Sequence, residues 1–333
     1  MDIVQGWCDL APEPGVVLTI GVFDGVHLGH QALIRGVVER AGELGLGPVV
    51  MTFHPHPRSV VAPDSNWGYL CSLEERLARI AELGPELMIV LRFTPELAAM
   101  PAADFIAEAL RHMPLRELHV GDDFALGRGK EGDVAALQAL GRQHGFTVRS
   151  TPTVCVDGQA VRSTRIRELV QAGAVDQAAR LLGRFFSLRG AVTSGHGQGR
   201  RLGFPTANLH LHARQVLPAD GVYAVWGQLS PSFWEAHLPA GLRSTGPGPL
   251  PGLAYVGRRP TFGSGQRVVE VHLLDFSADL LGHEVRAEFV RFLRPDRAFA
   301  NAHELVAQME RDMAQARQLL SAEAFPPHAV RDA

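Results

Sequence analysis

The stretch GVFDGVHLGHQ, residues 21–31, follows directly on the apolar run VVLTI at residues 16–20. The apolar run is typical of a buried β-strand, and the segment that begins at residue 30 places Leu33, Ile34 and Val37 on one helical face. The glycine- and histidine-rich stretch is therefore predicted to be the first turn between a strand and a helix. In open α/β sheets such turns lie at the carboxyl ends of the strands, where ligands bind.

The alternation of apolar runs and helical patterns continues through the first half of the chain. Further runs typical of strands lie at residues 48–53, 87–93, 117–121 and 146–150. Ser72 and Glu75 form a capping box at the start of SLEERLARIAELG, which predicts a helix there. Because strands this apolar alternate with helices, we expect a parallel sheet with helices on both faces.

The pattern changes near residue 184, where β-branched and aromatic runs replace the helical periodicity. In VVEVHLLDF, for example, apolar side chains alternate with Glu270 and His272, as in a half-buried strand. The last periodic segment, residues 301–320, predicts a helix with Asn301 and Glu304 as its N-cap pair. The second half is therefore predicted to be an antiparallel β domain closed by one helix. The predicted runs occupy residues 186–192, 221–229, 253–257, 268–276 and 285–293.

These changes of pattern predict two domains and a tail, with boundaries at residues 1–183, 184–322 and 323–333. The proline- and glycine-rich segment 230–252 is predicted to be a long surface loop.

Composition limits the classes of partner and compartment. The chain has 32 Lys and Arg against 35 Asp and Glu, a net charge of −3, which gives no electrostatic case for a nucleic acid or a membrane surface. The three cysteines, Cys8, Cys71 and Cys155, form no CxxC pair and are typical of reduced thiols in a cytoplasmic protein. No signal peptide and no transmembrane helix are expected. Nothing in the sequence predicts the oligomeric state.

The residue types in the first turn suit phosphate chemistry. Glycines let the backbone approach a ligand closely, and a helix N-terminus offers amides and partial positive charge to a phosphate. His27 and His30 could add donors to the charge that develops on a transferring phosphorus. Two alternatives stay open at this point: an ordinary tight turn with surface histidines, and a metal pair, for which no third ligand is evident.

A second phosphate-binding candidate lies at RSTRIRELV, residues 162–170. Ser163 and Thr164 immediately precede a helical pattern and are expected to serve as N-caps, with Arg165 and Arg167 following. Hydroxyls and arginines at a helix N-terminus suit phosphate, although an ordinary cap with solvated arginines fits the same pattern.

Two nucleotide-binding motifs are excluded. Gly127, Gly129 and Gly132 fit G-x-G-x-x-G, but DDFAL separates them from the preceding strand and no acid ends the next strand, so a nicotinamide site is not expected. A Walker A motif is absent because the single Gly-Lys pair is followed by Glu131.

The second half has its own glycine-rich stretch, GHGQGRRLGFPTAN, at residues 195–208. Its glycines and two arginines favour a phosphate loop, and Thr206 and Asn208 supply the hard oxygen ligands that Mg²⁺ prefers. A turn-rich connection between strands is the alternative.

Several of these motifs together resemble a known family. HLGH resembles the HxGH signature of the nucleotidyltransferase superfamily, and the longer GVFDGVHLGH resembles that of the bacterial bifunctional riboflavin kinase/FAD synthetases (FMN adenylyltransferases). The resemblance runs from about residue 16 to 317 and departs from the family pattern at Leu126, Lys130 and Arg162, where Phe, Arg and Ser are usual. The supporting motifs are TFHPHPR (52–58), VGDDFALGRGKEGD (120–133), RSTRIRELV, GHGQGRRLGFPTAN, GVYAV (221–225), VGRRPTF (256–262) and VEVHLLDF (269–276).

The resemblance implies a fold and an activity. It implies a Rossmann-like nucleotidyltransferase domain with a parallel sheet, followed by a small antiparallel β-barrel closed by a long helix. The barrel would phosphorylate riboflavin to FMN with ATP and Mg²⁺, and the first domain would adenylylate FMN to FAD and release pyrophosphate. The implied partners are therefore small molecules: riboflavin, FMN and ATP.

The resemblance also implies roles for single residues. Glu270, His27 and His30 would be catalytic, with Glu270 as the general base, and Thr206 and Asn208 would bind the metal. The residues implied to bind ATP and phosphate are Gly21, Phe23, Asp24, Gly25, Gly29, His54, Asp123, Ser163, Thr164, Arg167, Gly195, Gly197, Gly199 and Arg200.

Two other functions compete with this interpretation. One is a nucleotidyltransferase for a different phosphate-bearing substrate, against which the PTAN segment of the second domain argues. The other is a non-catalytic flavin-binding regulator, against which the presence of both histidines and Glu270 argues.

Overall fold

The computed structural model of the chain describes residues 1–11, 14–63, 67–194, 203–211, 214–230, 232–234, 248–258 and 267–322. The chain folds into two compact units. The first unit comprises Met1–Trp67 and Ser72–Ser163, and the second comprises Gly68–Cys71 and the chain from Thr164 onward.

The first unit is built on a six-stranded sheet in which every pairing is parallel. The strand order is β1-β4-β3-β2-β5-β8. The predicted parallel sheet is confirmed, and the five predicted strands lie within two residues of their observed ends. The strands are β1 (Asp2–Gln5), β2 (Val16–Ile20), β3 (Gly47–His54), β4 (Leu87–Arg92), β5 (Leu115–Gly121) and β8 (Thr147–Thr151), with short pairs β6 (Ala125–Leu126) and β7 (Gly132–Asp133), and β9 (Cys155–Val156) and β10 (Gln159–Ala160).

Helices cover both faces of this sheet, as predicted. On one face, Ile34 and Val37 of the first helix pack close to Val50 and Val17. On the other face, Phe105 packs with the apolar side chains of the central strands. Fully burying an aliphatic or aromatic side chain contributes roughly 1.5–3 kcal/mol, so these two layers stabilise the unit. The helices are α1 (Leu28–Leu44), α2 (Pro57–Val61), α3 (Leu73–Ala81), α4 (Pro95–Ala99), α5 (Ala102–His112) and α6 (Val134–His144).

The strand order puts the histidine-rich stretch at the switch point of the sheet. β2 lies between β3 and β5, and the chain winds outward from β2 through β3 and β4 on one side and through β5 and β8 on the other. The turn that follows β2 therefore opens at the crevice where the order reverses, which is where open α/β sheets bind ligands.

The second unit holds a closed six-stranded antiparallel barrel with the order β11-β12-β15-β14-β13-β16. The predicted antiparallel β domain is confirmed, and the barrel agrees with what the resemblance implied. The barrel strands are β11 (Phe186–Thr193), β12 (Ala207–Leu211), β13 (Gly221–Leu229), β14 (Leu250–Arg258), β15 (Arg267–Leu273) and β16 (Glu284–Pro295). The helices that precede and follow them in the chain are α7 (Ser163–Gln171), α8 (Val175–Leu182) and α9 (Ala302–Ala322).

The long helix α9 is seated on the barrel by apolar contacts and one buried ion pair. Ala316 and Leu320 are buried together with Val222 of β13. Asp312 faces the same way, and its carboxylate accepts hydrogen bonds from Arg294 at 2.8–3.0 Å. At the start of the helix, Asn301 Oδ1 accepts from the Glu304 amide at 2.9 Å, and the Glu304 carboxylate accepts from the Ala300 amide at 3.2 Å. The predicted cap is therefore confirmed.

The predicted surface loop 230–252 is wrong at both ends. Phe233 is fully buried and its ring contacts Phe276 and His283, because an aromatic side chain near the barrel has apolar surface to cover. Strand β14 already begins at Leu250. Residue 231 and residues 235–247 lie outside the described residues. Across the helices that the structure describes, none is long and apolar enough to cross a membrane.

Candidate active sites

The turn after β2 has an unusual backbone. Gly21 continues the sheet, its amide donating to Met51 O at 3.0 Å. Phe23, Gly25 and Val26 then adopt φ values of 53°, 80° and 37°. Such values are natural for glycine but strained for Phe and for β-branched Val, by about 1–3 kcal/mol each. Strain of this size persists only where the surrounding structure imposes it, and it is concentrated at functional sites.

His27 caps helix α1 with its ring. Its Nδ1 accepts a hydrogen bond from the backbone amide of His30 at 3.3 Å. Since an accepting Nδ1 carries no proton, the proton of the neutral ring is on Nε2, which is left as a donor. The rings of His27 and His30 stack with centroids 3.5 Å apart, and Phe23 contacts His30 edge-on at 5.2 Å. The two histidines are therefore brought together as the sequence predicted.

Gly29 leaves room for this stacking geometry. A Cβ at this position would lie 3.2 Å from His27 Cε1 and 3.3 Å from His27 Nδ1, closer than ordinary side-chain contacts. A side chain here would displace the capping ring. With the ring in place, the seventeen-residue helix α1 directs its N-terminal amides and partial positive charge toward the turn.

Two side chains that sequence reasoning missed hold the turn against the sheet. Thr52 Oγ1 donates to Val22 O at 3.1 Å, and Arg76 Nη1 donates to the same carbonyl at 2.5 Å. Arg76 Nη2 also donates to Phe53 O at 3.2 Å, next to the exposed His54 at the end of β3. The acceptors are backbone carbonyls, which leave no signal in a sequence.

Ser163, the last residue of the first unit, forms a hydrogen bond to the histidine turn. Its hydroxyl donates to Asp24 O at 3.0 Å, and Asp24 is only 2% exposed. The expectation that Ser163 and Thr164 act as N-caps is wrong: α7 begins at Ser163 itself, and the Ser163 hydroxyl serves the neighbouring carbonyl. The prediction that Ser163 belongs with the histidine turn is consistent with this contact.

The loop after β5 carries Asp123 at the same edge of the sheet. Asp122 accepts from the Thr153 hydroxyl at 2.7 Å and from the Thr153 amide, and these bonds lower the pKa of Asp122. Asp123 instead pairs with Arg162 at 2.5 Å, and both side chains are more than half exposed. Arg162 stands where the resembled family usually has Ser, so the chain supplies its own counterion to a predicted ligand-binding carboxylate.

Thr164 and Arg167 lie in the second unit. Thr164 is exposed. Arg167 is buried, and its Nε donates to Gly68 O at 2.8 Å. Their roles in phosphate binding stay predictions.

The second candidate site lies on the outer face of the barrel. Val269 and Val271 point into the barrel and are 1% exposed, so Glu270 between them faces outward, as predicted. Thr206 Oγ1 donates to Glu270 Oε2 at 3.2 Å. Asn208 lies directly opposite Glu270 on β12 and therefore shares its face. The structure thus brings Thr206, Asn208 and Glu270 together.

His272, two residues along the same face, is a further contact that sequence reasoning missed. One of its ring nitrogens, Nδ1, lies 2.7 Å from Pro205 O and fixes the PTAN segment on β15. The predicted phosphate-loop residues Gly195, Gly197, Gly199 and Arg200 lie outside the described residues.

Comparisons with known families match both units. The sequence model of the FAD synthetase family matches residues 10–165, and that of the riboflavin kinase family matches residues 182–320. The first match contains the histidine turn and Asp123, and the second contains Thr206, Asn208 and Glu270.

Curated relatives match over nearly the whole chain. Proteins described as bifunctional riboflavin kinase/FMN adenylyltransferase are 39% identical in Escherichia coli (strain K12), over 96% of this chain and 97% of that protein, and 38% identical in Pseudomonas fluorescens, over 96% and 98%. A crystal structure described as a macrolide-efflux protein from Streptococcus pneumoniae is similar in fold, with a TM-score of 0.82 at 29% identity over 95% of this chain and 99% of that one.

Proposed function

The chain belongs to the family of bifunctional riboflavin kinase/FMN adenylyltransferases and makes FMN and FAD, and we propose that the two reactions are divided between the two sites described above. The two other functions considered from the sequence, a different nucleotidyltransferase and a non-catalytic regulator, are disfavoured because the similarity to these enzymes covers both units. The separation of the chemistry into a histidine turn and an outer barrel face supports the division.

The barrel site would phosphorylate riboflavin. Glu270 would accept the proton of the ribityl hydroxyl as its oxygen attacks the γ-phosphorus of ATP, and ADP would leave. The hydrogen bond from Thr206 orients the Glu270 carboxylate toward the PTAN segment. The glycines and Arg200 of residues 195–200 would bind the phosphates.

The oxygen donors at this site fit Mg²⁺. A hydroxyl, a side-chain amide and a carboxylate meet at Thr206, Asn208 and Glu270, and hard oxygen donors of this kind are the ligands that Mg²⁺ prefers. Thr206 and Asn208 would hold the ion, which when bound would neutralise charge on the phosphates.

The histidine turn would adenylylate FMN. An oxygen of the FMN phosphate attacks the α-phosphorus of ATP, and the bond from that phosphorus to pyrophosphate breaks. The attacking group is already an anion, so no general base is needed, and catalysis rests on positioning and charge stabilisation. His27 Nε2, His30 and the N-terminus of α1 would donate to the phosphates.

The remaining predicted residues of the first unit would complete the site at the histidine turn. Asp123 would exchange its Arg162 partner for the nucleotide or the flavin. Ser163 would contact phosphate, whereas Thr164 and Arg167 belong to the second unit and their roles stay predictions. Gly21, Phe23, Asp24, Gly25 and His54 would shape the ATP pocket.

A cytoplasmic location is part of the proposal. All three cysteines are free thiols, which favours a reducing compartment.

The observation that carries this function is the outward pairing of Glu270 with Thr206 on the barrel, together with the stacked histidines at the sheet switch point. Purified protein should be incubated with riboflavin, ATP and Mg²⁺, and the flavins separated by chromatography over time. We expect FMN to appear first and FAD to follow. Riboflavin that stays unchanged while ATP is not consumed would contradict the proposal.

A further inference from the structure

Arg76 of α3 is one of the largest buried side chains of the first unit, at 2% exposure. Its guanidinium donates to two backbone carbonyls, Val22 O and Phe53 O. Among the residues that the structure describes, no carboxylate forms an ion pair with it, and its Nε has no hydrogen-bond partner. Within the described part of the chain, Arg76 therefore places a positive charge inside the protein with no carboxylate in ion-pair contact.

A buried charge without a counterion is costly and rare. Removing an ion from water carries an effective penalty of several kcal/mol, and buried charges in proteins are normally paired. The neighbouring Arg79 follows this rule, because its guanidinium pairs with Glu75 at 2.5 Å and is 4% exposed on its side chain. The same helix thus carries one matched and one unmatched buried guanidinium.

The unmatched charge of Arg76 lies beside the histidine turn. Val22 lies between Gly21 and Phe23 in the strained turn, and Phe53 precedes His54 at the end of β3. The guanidinium therefore bridges the carboxyl ends of the two adjacent strands next to the histidine turn. In a low-dielectric interior, a charge at this place acts strongly on anions bound at that edge of the sheet.

We propose that Arg76 is a positioning residue for adenylyl transfer, whose buried charge is matched by the phosphates of ATP at the turn after β2. The inference rests on the proposed function of that turn. Arg76 acts through the turn: it fixes Val22 O and Phe53 O, and it raises the affinity of the site for a polyphosphate. In this view the chain keeps the unmatched charge because the substrate supplies its partner.

The competing explanation is that Arg76 only holds the turn in place through its hydrogen bonds. Thr52 helps to distinguish this structural role from a role of the Arg76 charge. Thr52 donates to the same carbonyl, Val22 O, but carries no charge. Thr52→Val therefore reports the effect of losing one uncharged bond to the turn. If Arg76 were only a clamp, a variant that keeps its charge and a variant that keeps only an uncharged donor would have similar effects on KM for ATP.

The test measures KM for ATP and kcat of the FMN-to-FAD step in four variants of the full chain. Arg76→Lys keeps the charge, and Arg76→Gln keeps a hydrogen-bond donor without the charge. Thr52→Val removes the uncharged hydrogen bond to Val22 O. Arg79→Met is the control that removes the buried arginine paired with Glu75. Far-UV circular dichroism and thermal unfolding of each variant report whether the first unit is folded, the riboflavin kinase step reports the barrel, and Arg76→Met replaces Arg76→Gln if that variant does not fold.

We expect Arg76→Gln to raise KM for ATP at least tenfold, and Arg76→Lys and Thr52→Val to stay within threefold of the wild type. Arg79→Met should leave this KM unchanged. A KM for Arg76→Gln within twofold of the wild type would overturn the inference, as would an equal rise in Thr52→Val or in Arg76→Lys. A wild-type protein that forms no FAD from FMN would instead refute the proposed function, and the inference with it.

Discussion

Gly29 shows how closely the histidine turn is fitted at the scale of single residues. A Cβ at position 29 would lie 3.2 Å from Cε1 of the His27 capping ring, so the ring would have to shift by a few tenths of an ångström. The stacked pair His27 and His30 depends on that ring position. A single methyl group at residue 29 is therefore expected to disturb the proposed phosphate donors while leaving the sheet intact.

The variant Gly29→Ala tests this fit. Its Cβ would lie 3.2 Å from His27 Cε1, so the ring must shift. We expect kcat/KM for FMN-to-FAD conversion to fall about tenfold, the size of effect that misplaced catalytic groups produce. Riboflavin phosphorylation by the same protein should be unchanged.

Gly36→Ala on the same helix is the control. A Cβ there meets no atom within 4 Å. Alanine is the better helix former by about 0.8–1 kcal/mol, so stability should rise slightly with both activities unchanged. Equal FAD formation by Gly29→Ala and the wild type would show that His27 needs no such precise placement.

The residues predicted for both sites are those whose own side chains could carry the chemistry, and their roles stay predictions. His27, His30, Thr206 and Glu270 stand where the motifs predicted, and the contacts between them are formed. Arg76, Thr52 and His272 were not predicted, because each one binds a backbone carbonyl brought near only by folding. Backbone acceptors are the same at every residue and give a sequence no pattern to recognise.

At the scale of elements, one buried carboxylate ties α1 and β8 to β5. Glu117 of β5 accepts hydrogen bonds from Arg40 of α1 at 2.9 Å and from Arg149 of β8 at 2.9 Å. Its carboxylate also lies 2.9 Å from His119 Nε2. Burial alone would raise the pKa of Glu117, but these hydrogen bonds outweigh it and lower the pKa to about 2.

The lowered pKa makes the contribution of Glu117 dependent on pH. The carboxylate stabilises the fold fully above its unfolded pKa of about 4.3, and this stabilisation is lost as the pH falls toward 2. We expect Glu117→Gln to lower the free energy of unfolding by about 2 kcal/mol at pH 7. The deficit should shrink as the pH is lowered from 4.3 to 2, as followed by urea unfolding at several pH values.

Glu43→Gln is the matched control for this measurement. Glu43 pairs with the same Arg40 but lies exposed on the surface of α1. Its loss should leave stability nearly unchanged at every pH, since exposed ion pairs contribute little. A Glu117→Gln variant as stable as Glu43→Gln at pH 7 would contradict the role of Glu117.

The elements that were predicted are those whose periodicity is local. The five long parallel strands, five of the six barrel strands and α9 each carry their own apolar run, alternation or capping pair. Strand β12 was not predicted, because its first residues belong to the glycine-rich stretch 195–208 that was interpreted as a loop. Strand β1 was missed because it is short and largely exposed. The ion pairs Arg40–Glu117 and Arg294–Asp312 were missed because they join distant elements, which periodicity does not reveal.

At the scale of the whole molecule, two compact units match two enzyme families. The compact units divide between Ser163 and Thr164, and the family matches end at residue 165 and resume at residue 182. The segment between them forms α7 and α8, and α8 packs against β11 and β16. Its helical periodicity resembles that of the first unit, which is why the sequence suggested a boundary after residue 183. That boundary stays a prediction.

Two variants of the full chain, each assayed for both reactions, test most directly whether the sites are separate. Glu270→Ala should form no FMN from riboflavin but should convert supplied FMN to FAD at the wild-type rate. The double variant His27→Ala with His30→Ala should do the reverse, accumulating FMN without FAD. Each variant's retained reaction shows that the unmutated unit is folded, and thermal unfolding compared with the wild type shows whether the mutated unit is. A single variant that abolishes both reactions, or two variants that each keep both, would contradict the account.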